Sequence, residues 1–244
     1  MSEAKYCALI PTYQNANTVP DVVRRTLKVC PDVIVVDDGS TDGTEELLSG
    51  LSVTLLTHKA NKGKGCALIT GFRAAMEMGF THVVTLDADA QHFPEDIPEL
   101  ISASMENPAD IIVGCRNLTS DNMPRQNTFA NRFSNFWFRL QTGQKLEDTQ
   151  SGFRIYPLNS LHGTALVTSR YEAELELMVF AAWNGVSMKG VPVRVWYAPA
   201  GERVSHFRPF MDFFRISVLN TILCFGAILY ALPKLLIRKA LCRR

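Results

Sequence analysis

The chain has 244 residues and a formal net charge of +1, enough length for one α/β domain with at most an appendage and a substantial core. The charge excludes neither nucleic acid nor membrane, but it is unevenly placed. After Asp212 no acidic residue follows, whereas Arg215, Lys234, Arg238, Lys239, Arg243 and Arg244 do. Six scattered cysteines with no C-x-x-C argue against a zinc site or a disulfide framework, and for a reducing interior.

Residues 1–5 lead directly into a strand-like segment without the apolar stretch of a signal peptide, so the domain is expected in the cytosol. Strands are predicted over Tyr6–Ile10, Val33–Asp37, Val53–Leu56, His82–Leu86 and Asp110–Gly114. Helices are predicted between them, over Thr18–Val29, Thr44–Leu48, Lys64–Met78 and Glu95–Met105. Pro20 and Pro94 fall where a first helical turn tolerates proline, and Gly79 suits a helix stop. Strands alternating with helices of this length predict a mostly parallel sheet covered on both faces, with ligands beyond the carboxyl ends of the strands. Those ends read Pro11-Thr-Tyr13, Asp37-Asp-Gly-Ser40 and Asp87-Ala-Asp89, all polar.

Beyond Cys115 a helix is expected over Arg125–Gly143, carrying Phe129, Phe133, Phe136, Trp137 and Leu140. Thr149–Tyr156 reads as a loop entering a strand, and Ala173–Trp183 as a helix. Val186–Trp196 reads as one or two strands interrupted at Gly190 and Pro192, and Ala198–Pro209 as a cationic loop. Residues 1–208 are expected to form one domain, followed over 209–244 by a membrane-associating helix and a basic tail. Ile216–Leu232 is slightly shorter than the about 20 apolar residues of a full span. It can cross a bilayer, lie in its interface, pack on a partner helix or form a buried C-terminal helix of the domain. The cationic end favours a membrane, because each Lys or Arg near an anionic leaflet contributes about 1 kcal/mol.

Four segments carry chemistry. His82–Leu86 delivers Asp87 and Asp89, with Gln91 close behind, at a strand exit; such hard oxygen ligands suit Mg²⁺ or Mn²⁺ carrying a diphosphate. At the second strand end, Asp38 is placed to accept hydrogen bonds from a base N–H and ribose hydroxyls, beside a turn that caps the next helix. Asn61-Lys-Gly-Lys-Gly65 opens a helix whose free N–H groups suit an anion, although the Walker spacing is missing. Asp148, in the run Glu147–Arg154, can bind sugar hydroxyls or act as a base.

Pro11-Thr-Tyr-x-Asn15, Asp37-Asp-Gly-Ser40, Gly63-Lys-Gly65, Asp87-Ala-Asp-Ala-Gln91 and Asp148-Thr-Gln-Ser-Gly-Phe-Arg154 stand in the order seen in family 2 glycosyltransferases. The chain most resembles the dolichyl- or polyprenyl-phosphate mannose synthase branch over about residues 4–208. The resemblance implies a GT-A Rossmann-like fold, a GDP- or UDP-sugar donor, Mg²⁺ or Mn²⁺, and inversion at the anomeric carbon. It implies that Pro11, Tyr13, Asn15 and Asp38 line the nucleoside pocket and that Lys64 and Asp87 meet the diphosphate. Asp87, Asp89 and Gln91 would gather the metal, with Asp89, Asp148 and Arg154 as catalytic candidates. Arg203 and His206 resemble a loop that closes over the donor, and Arg116, Arg132 and Ser134 resemble contacts to an acceptor phosphate.

A lipid-phosphate acceptor is already an anionic nucleophile and needs no base; a lipid hydroxyl would need Asp148 or Glu147. A nucleotide-sugar-binding protein without turnover is the alternative of another class. The absence of Q-x-x-R-W disfavours a polysaccharide synthase, and the glycine-free Pro11–Thr18 disfavours a nucleotidyltransferase. The expected setting is the cytoplasmic face of a membrane, with no nucleic-acid partner.

Overall fold

The computed structural model describes residues 4–116, 125–161, 166–197 and 209–234. Its strands are β1 (Tyr6–Thr12), β2 (Val33–Asp37), β3 (Thr54–Thr57), β4 (His82–Thr85), β5 (Ile111–Arg116), β6 (Arg154–Pro157) and β7 (Met188–Val193). They form one seven-stranded sheet in the order β3-β2-β1-β4-β6-β5-β7. Only β6 runs antiparallel, against both β4 and β5. The helices are α1 (Val19–Leu27), α2 (Thr44–Leu48), α3 (Lys64–Glu77), α4 (Ile97–Glu106), α5 (Arg125–Thr142), α6 (Glu172–Trp183) and α7 (Pro209–Gly226).

The apolar runs form strands because both faces of the sheet are covered. Alternate residues of β1 point to opposite cores: Cys7 and Leu9 join α3 and α6, whereas Ala8 and Ile10 join α1 and α4. Each fully buried Leu, Ile or Val contributes about 1.5–3 kcal/mol over leaving it exposed, so both cores hold the register. That register sets Thr12 beside Asp37 and Asp37 beside Thr57, bringing three strand outlets level. Leu9 pairs with Thr85, so the Asp87 turn emerges beside them.

Two expectations need correction. Val186–Trp196 is not broken at Gly190 and Pro192: β7 runs through both, pairing Gly190 with Val113 and Pro192 with Cys115. It lies at the edge of the sheet, where a missing proline N–H does not interrupt an inner ladder. Glu95–Met105 begins instead as a 3₁₀ turn over Pro94–Asp96, with α4 following.

Helix α7, continued by a π-helical turn over Ala227–Ala231, is packed on the domain. Leu219, Leu223, Ala227 and Ala231 form a buried stripe at four-residue spacing. Gly226 lets the helix approach the ring of Trp183. Gln141 of α5 donates from Nε2 to Asn220 Oδ1 (2.9 Å), and Lys234 Nζ donates to Asn184 Oδ1 (2.9 Å). The opposite face exposes Phe214, Val218, Ile222, Phe225, Leu229 and Leu232. The segment Phe214–Lys234 is long and apolar enough to cross a membrane by length and composition. The domain boundary expected at residue 208 lies outside the described residues.

Candidate active site

The loops after β1 and β2 are sewn together. Asp38 N donates to Thr12 O (2.8 Å), and Gln14 N donates to Ser40 Oγ (2.8 Å). Gln14 takes the left-handed conformation (φ 54°) to make this turn. Pro11 is buried, while Tyr13 and Asn15 are half-buried, with Asn15 Nδ2 donating to Tyr13 O (3.0 Å). Asp37 accepts from Ser40 N and Oγ, closing the turn.

Asp38 does not face outward as expected. It is 2 % exposed and accepts from His58 Nδ1 (2.6 Å), Lys62 N (2.9 Å) and Gly63 N (2.7 Å). The donors anticipated from a base and a ribose are therefore supplied by the protein. Asp38 anchors the loop that opens α3, and Gly63 is needed there: its φ is +100°, and a Cβ would collide with the Ser169 carbonyl. His58, at the outlet of β3, was not singled out in the sequence.

One residue further, Lys64 Nζ bridges Asp87 Oδ1 (2.5 Å) and Glu174 Oε2 (2.7 Å). Asp38 and Asp87 are thus joined through adjacent residues, Gly63 and Lys64. Gly152 packs on the Asp87 carboxylate so closely that a Cβ would collide with it. Burial alone would lower the Lys64 pKa, but Asp87 and Glu174 outweigh it and raise it. Burial alone would raise that of Asp87, but Lys64 outweighs it and lowers it.

Asp89 stands beside them and differs. Burial, then the charge of Asp87, push its carboxyl up to about 6. Its Oδ1 accepts from Gln91 N (3.0 Å), across Ala90 in the left-handed region (φ 60°). Among the described residues no cluster of three or more His, Cys, Asp or Glu side chains forms a metal cage. The Asp87 and Asp89 carboxylates nevertheless fit Mg²⁺ or Mn²⁺, which need only one or two carboxylates when phosphate oxygens complete the shell.

A second cluster lies across the β4–β6–β5 segment. Arg116, at the end of β5, grips Asp148 through Nε–Oδ2 (2.6 Å) and Nη2–Oδ1 (2.9 Å). Asn131 of α5 donates to Asp148 Oδ1 (2.5 Å), and Gln150 N donates to the same atom (3.1 Å). Burial alone would raise Asp148, but the bonds from Arg116 hold it below the usual carboxylate range. With 0 % of its side chain exposed, it offers no basic oxygen to a substrate. The base role expected for Asp148 is corrected accordingly.

Arg154 is also buried (1 % exposed), donating to Tyr156 OH (2.8 Å) and Thr149 O (3.0 Å), with Glu174 Oε1 at 3.5 Å. It supports the site from beneath and cannot touch a reacting atom as expected of it. Ser134 is buried with its Oγ accepting from Thr149 Oγ1 (2.8 Å), while Arg132 is exposed on the same helix. Glu147 is exposed, and its carbonyl accepts from Asn135 Nδ2 (2.6 Å). Arg203 and His206 lie outside the described residues.

His92 packs on Phe153 (ring centroids 5.4 Å apart) within the fields of both clusters, and burial lowers its pKa to about 4. Its imidazole is therefore neutral at pH 7. Glu174, Asn131, His92 and His58 were not anticipated. Glu174 had a signal: Glu172, Glu174 and Glu176 interrupt an otherwise apolar helix, and all three are buried.

Comparison with known proteins agrees with this geometry. Residues 7–162 match the profile described as "Glycosyl transferase family 2". The chain is 30 % identical over 220 residues to the UDP-N-acetylglucosamine--dolichyl-phosphate N-acetylglucosaminyltransferase of Methanococcus voltae, covering 81 % of this chain and 88 % of that protein. It is 31 % identical over 199 residues to the polyprenol monophosphomannose synthase of Mycolicibacterium smegmatis (76 % and 75 %). It is 30 % identical over 207 residues to the undecaprenyl-phosphate mannosyltransferase of Micrococcus luteus (80 % and 84 %). In fold it resembles glucosyl-3-phosphoglycerate synthase from Mycobacterium tuberculosis, solved with Mn²⁺, UDP-glucose and phosphoglyceric acid: the TM-score is 0.66 at 17 % identity, over 93 % of this chain and 80 % of that one. A mostly parallel sheet whose β4 outlet presents Asp87 and Asp89, carried by a sequence matching over most of its length, makes this chain a glycosyltransferase belonging to family 2.

Proposed function

We propose that the protein transfers one sugar from a nucleotide-sugar donor to a polyprenyl phosphate, with inversion at the anomeric carbon, at a membrane surface. The observation that carries this reading is the Arg116–Asp148 pair beside the Asp87/Asp89 outlet. A phosphate acceptor needs a fixed cation and no base, and here the carboxylate positions the cation. The named relatives all use dolichyl, polyprenol or undecaprenyl phosphate acceptors by their descriptions. Of the two bases that transfer to a lipid hydroxyl could use, Asp148 is buried against Arg116, whereas Glu147 is exposed.

In the reaction, a lipid-phosphate oxygen attacks the anomeric carbon as the bond to the donor diphosphate breaks, and the diphosphate leaves with the electron pair. Asp87, Asp89 and Gln91 would hold Mg²⁺ or Mn²⁺, which supplies Lewis-acid stabilisation of the leaving diphosphate. Lys64 adds a positive charge beside it, and such electrostatic stabilisation is commonly the largest catalytic contribution. The loop from β1 to α1, with Pro11, Tyr13 and Asn15, would receive the nucleoside. Arg116 and exposed Arg132 would hold the acceptor phosphate, with Ser134 bracing the Thr149 turn behind them.

Helix α7 supports a membrane-surface placement lying in the interface. Its buried stripe is occupied by the domain, and only the opposite face is free for lipid. On α5, Arg132, Phe136 and Leu140 repeat at four-residue spacing and are all exposed, so the acceptor cation and apolar side chains share one stripe. The basic residues at and beyond Lys234 suit anionic headgroups.

Anionic vesicles carrying undecaprenyl phosphate test placement and chemistry together. The protein is expected to float with the vesicles, and to release UDP or GDP from a matching sugar nucleotide only when both the prenyl phosphate and Mn²⁺ are present. Nucleoside diphosphate release independent of the prenyl phosphate, or protein left in the pellet fraction, would refute the reading.

A further inference from the structure

The position of Lys64 is unusual for a residue that would meet a diphosphate. Its ammonium lies on Asp87 Oδ1, the carboxylate assigned above to the metal, and simultaneously on Glu174 Oε2. All three side chains are largely withdrawn from water: Lys64 is 16 % exposed, Asp87 28 % and Glu174 10 %. The Asp87 carboxylate also lies against Gly152, where a Cβ would collide with it. A divalent cation that reaches Asp87 therefore meets an ammonium already bonded there, and two cations on one carboxylate repel strongly at low dielectric.

We propose that Lys64 is a tethered cation occupying Asp87 in the donor-free protein, and that Glu174 is the positioning residue onto which Lys64 falls back when metal and diphosphate arrive. This inference rests on the assignment of Asp87 to the metal.

Glu174 suits that part. It comes from α6, an element separate from the Asp87 strand, so it does not move with the metal site. Its other oxygen, Oε1, lies 3.5 Å from the buried guanidinium of Arg154, an ion-pair contact without a hydrogen bond. Lys64 thus has a second carboxylate partner on a separate element, and releasing Asp87 does not strand a buried ammonium. The diphosphate then gives Lys64 a further negative neighbour. Metal alone must displace Lys64 unaided, whereas metal with diphosphate is compensated. The two ligands consequently favour each other, and the coupling is reciprocal. Such coupling keeps the protein from holding an idle metal ion at a site lacking substrate.

Binding of Mn²⁺, followed by the electron paramagnetic resonance of the free ion, tests this without turnover. The full chain is titrated with Mn²⁺ alone and with Mn²⁺ plus UDP or GDP. Lys64→Met is expected to bind Mn²⁺ alone on the order of tenfold more tightly than the wild type, because Asp87 is vacated. Glu174→Gln is expected to bind it several-fold more weakly, since Lys64 is left with Asp87 only. In Lys64→Met the gain in Mn²⁺ affinity on adding UDP or GDP should shrink. Should Lys64→Met fail to fold, Lys64→Met/Glu174→Gln removes both charges together and is expected to bind Mn²⁺ alone more tightly than the wild type. A purely structural role moves both single variants in the same direction or neither, and that result overturns the inference while leaving the metal assignment intact. Wild-type protein that binds no Mn²⁺ even with UDP or GDP overturns both.

Discussion

Asp89→Asn is expected to lower kcat/KM about a thousandfold, comparable to removing a principal electrostatic stabiliser from a transition state. The same substitution should leave thermal stability unchanged or slightly higher. Asp89 accepts a backbone bond from Gln91 N that an asparagine Oδ1 can also accept. Its charge is disfavoured in place, since burial and Asp87 push its pKa up to about 6. Loss of that charge removes repulsion from the donor-free protein and removes a cation ligand from the donor-bound one. Steady-state kinetics and a melting curve measured on one preparation separate the two effects. A variant within tenfold of wild-type activity would contradict the placement of the cation at Asp89.

Asp148→Ala should destabilise the fold by about 3–5 kcal/mol, the range for breaking a buried ion pair by removing one partner. Arg116 would keep its position, 12 % exposed, with no carboxylate to neutralise it. Asp148→Asn should cost less, because the amide still fills the space and accepts from Gln150 N. The pH dependence follows from the direction of the shift. Burial raises Asp148, but Arg116 more than compensates, so the folded pKa lies below the unfolded value. The stabilisation is then fully present above the unfolded pKa of about 3.9 and is lost as pH falls through the lower folded value. Urea unfolding of the wild type and Asp148→Asn should therefore differ at neutral pH and converge under strong acid. In kinetics, Asp148→Asn should raise KM for the prenyl phosphate more than it lowers kcat. A selective collapse of kcat with KM unchanged would restore Asp148 as a base.

The parts of the site that were legible in the sequence are those carried by strand ends. Val33–Asp37 and His82–Leu86 are β-branched apolar runs that stop at acidic residues, and in a parallel sheet such stops must gather at one edge. Which partner each acid takes was not legible. Asp38 looked free because its partners, His58, Lys62 and Gly63, come from a different loop. Asp148 looked like a base because nothing local marks Arg116, 32 residues earlier, as its partner. Glu174 sits in a helix buried on nearly every side, where helical periodicity carries no information about facing. The strand through Gly190 and Pro192 was obscured for another reason: local propensity argues for a break, and pairing with β5 overrides it at a sheet edge.

Anomalous diffraction at the manganese edge, from crystals grown with Mn²⁺ and UDP or GDP, tests most directly whether the outlets of β1, β2 and β4 form one diphosphate site. The peak is predicted at metal–oxygen bonding distance, about 2.0–2.6 Å, from the Asp89 carboxylate, bridged to the diphosphate, with the nucleoside against Pro11 and Tyr13. A peak elsewhere, or a nucleotide bound away from Asp87 and Asp89, would contradict it.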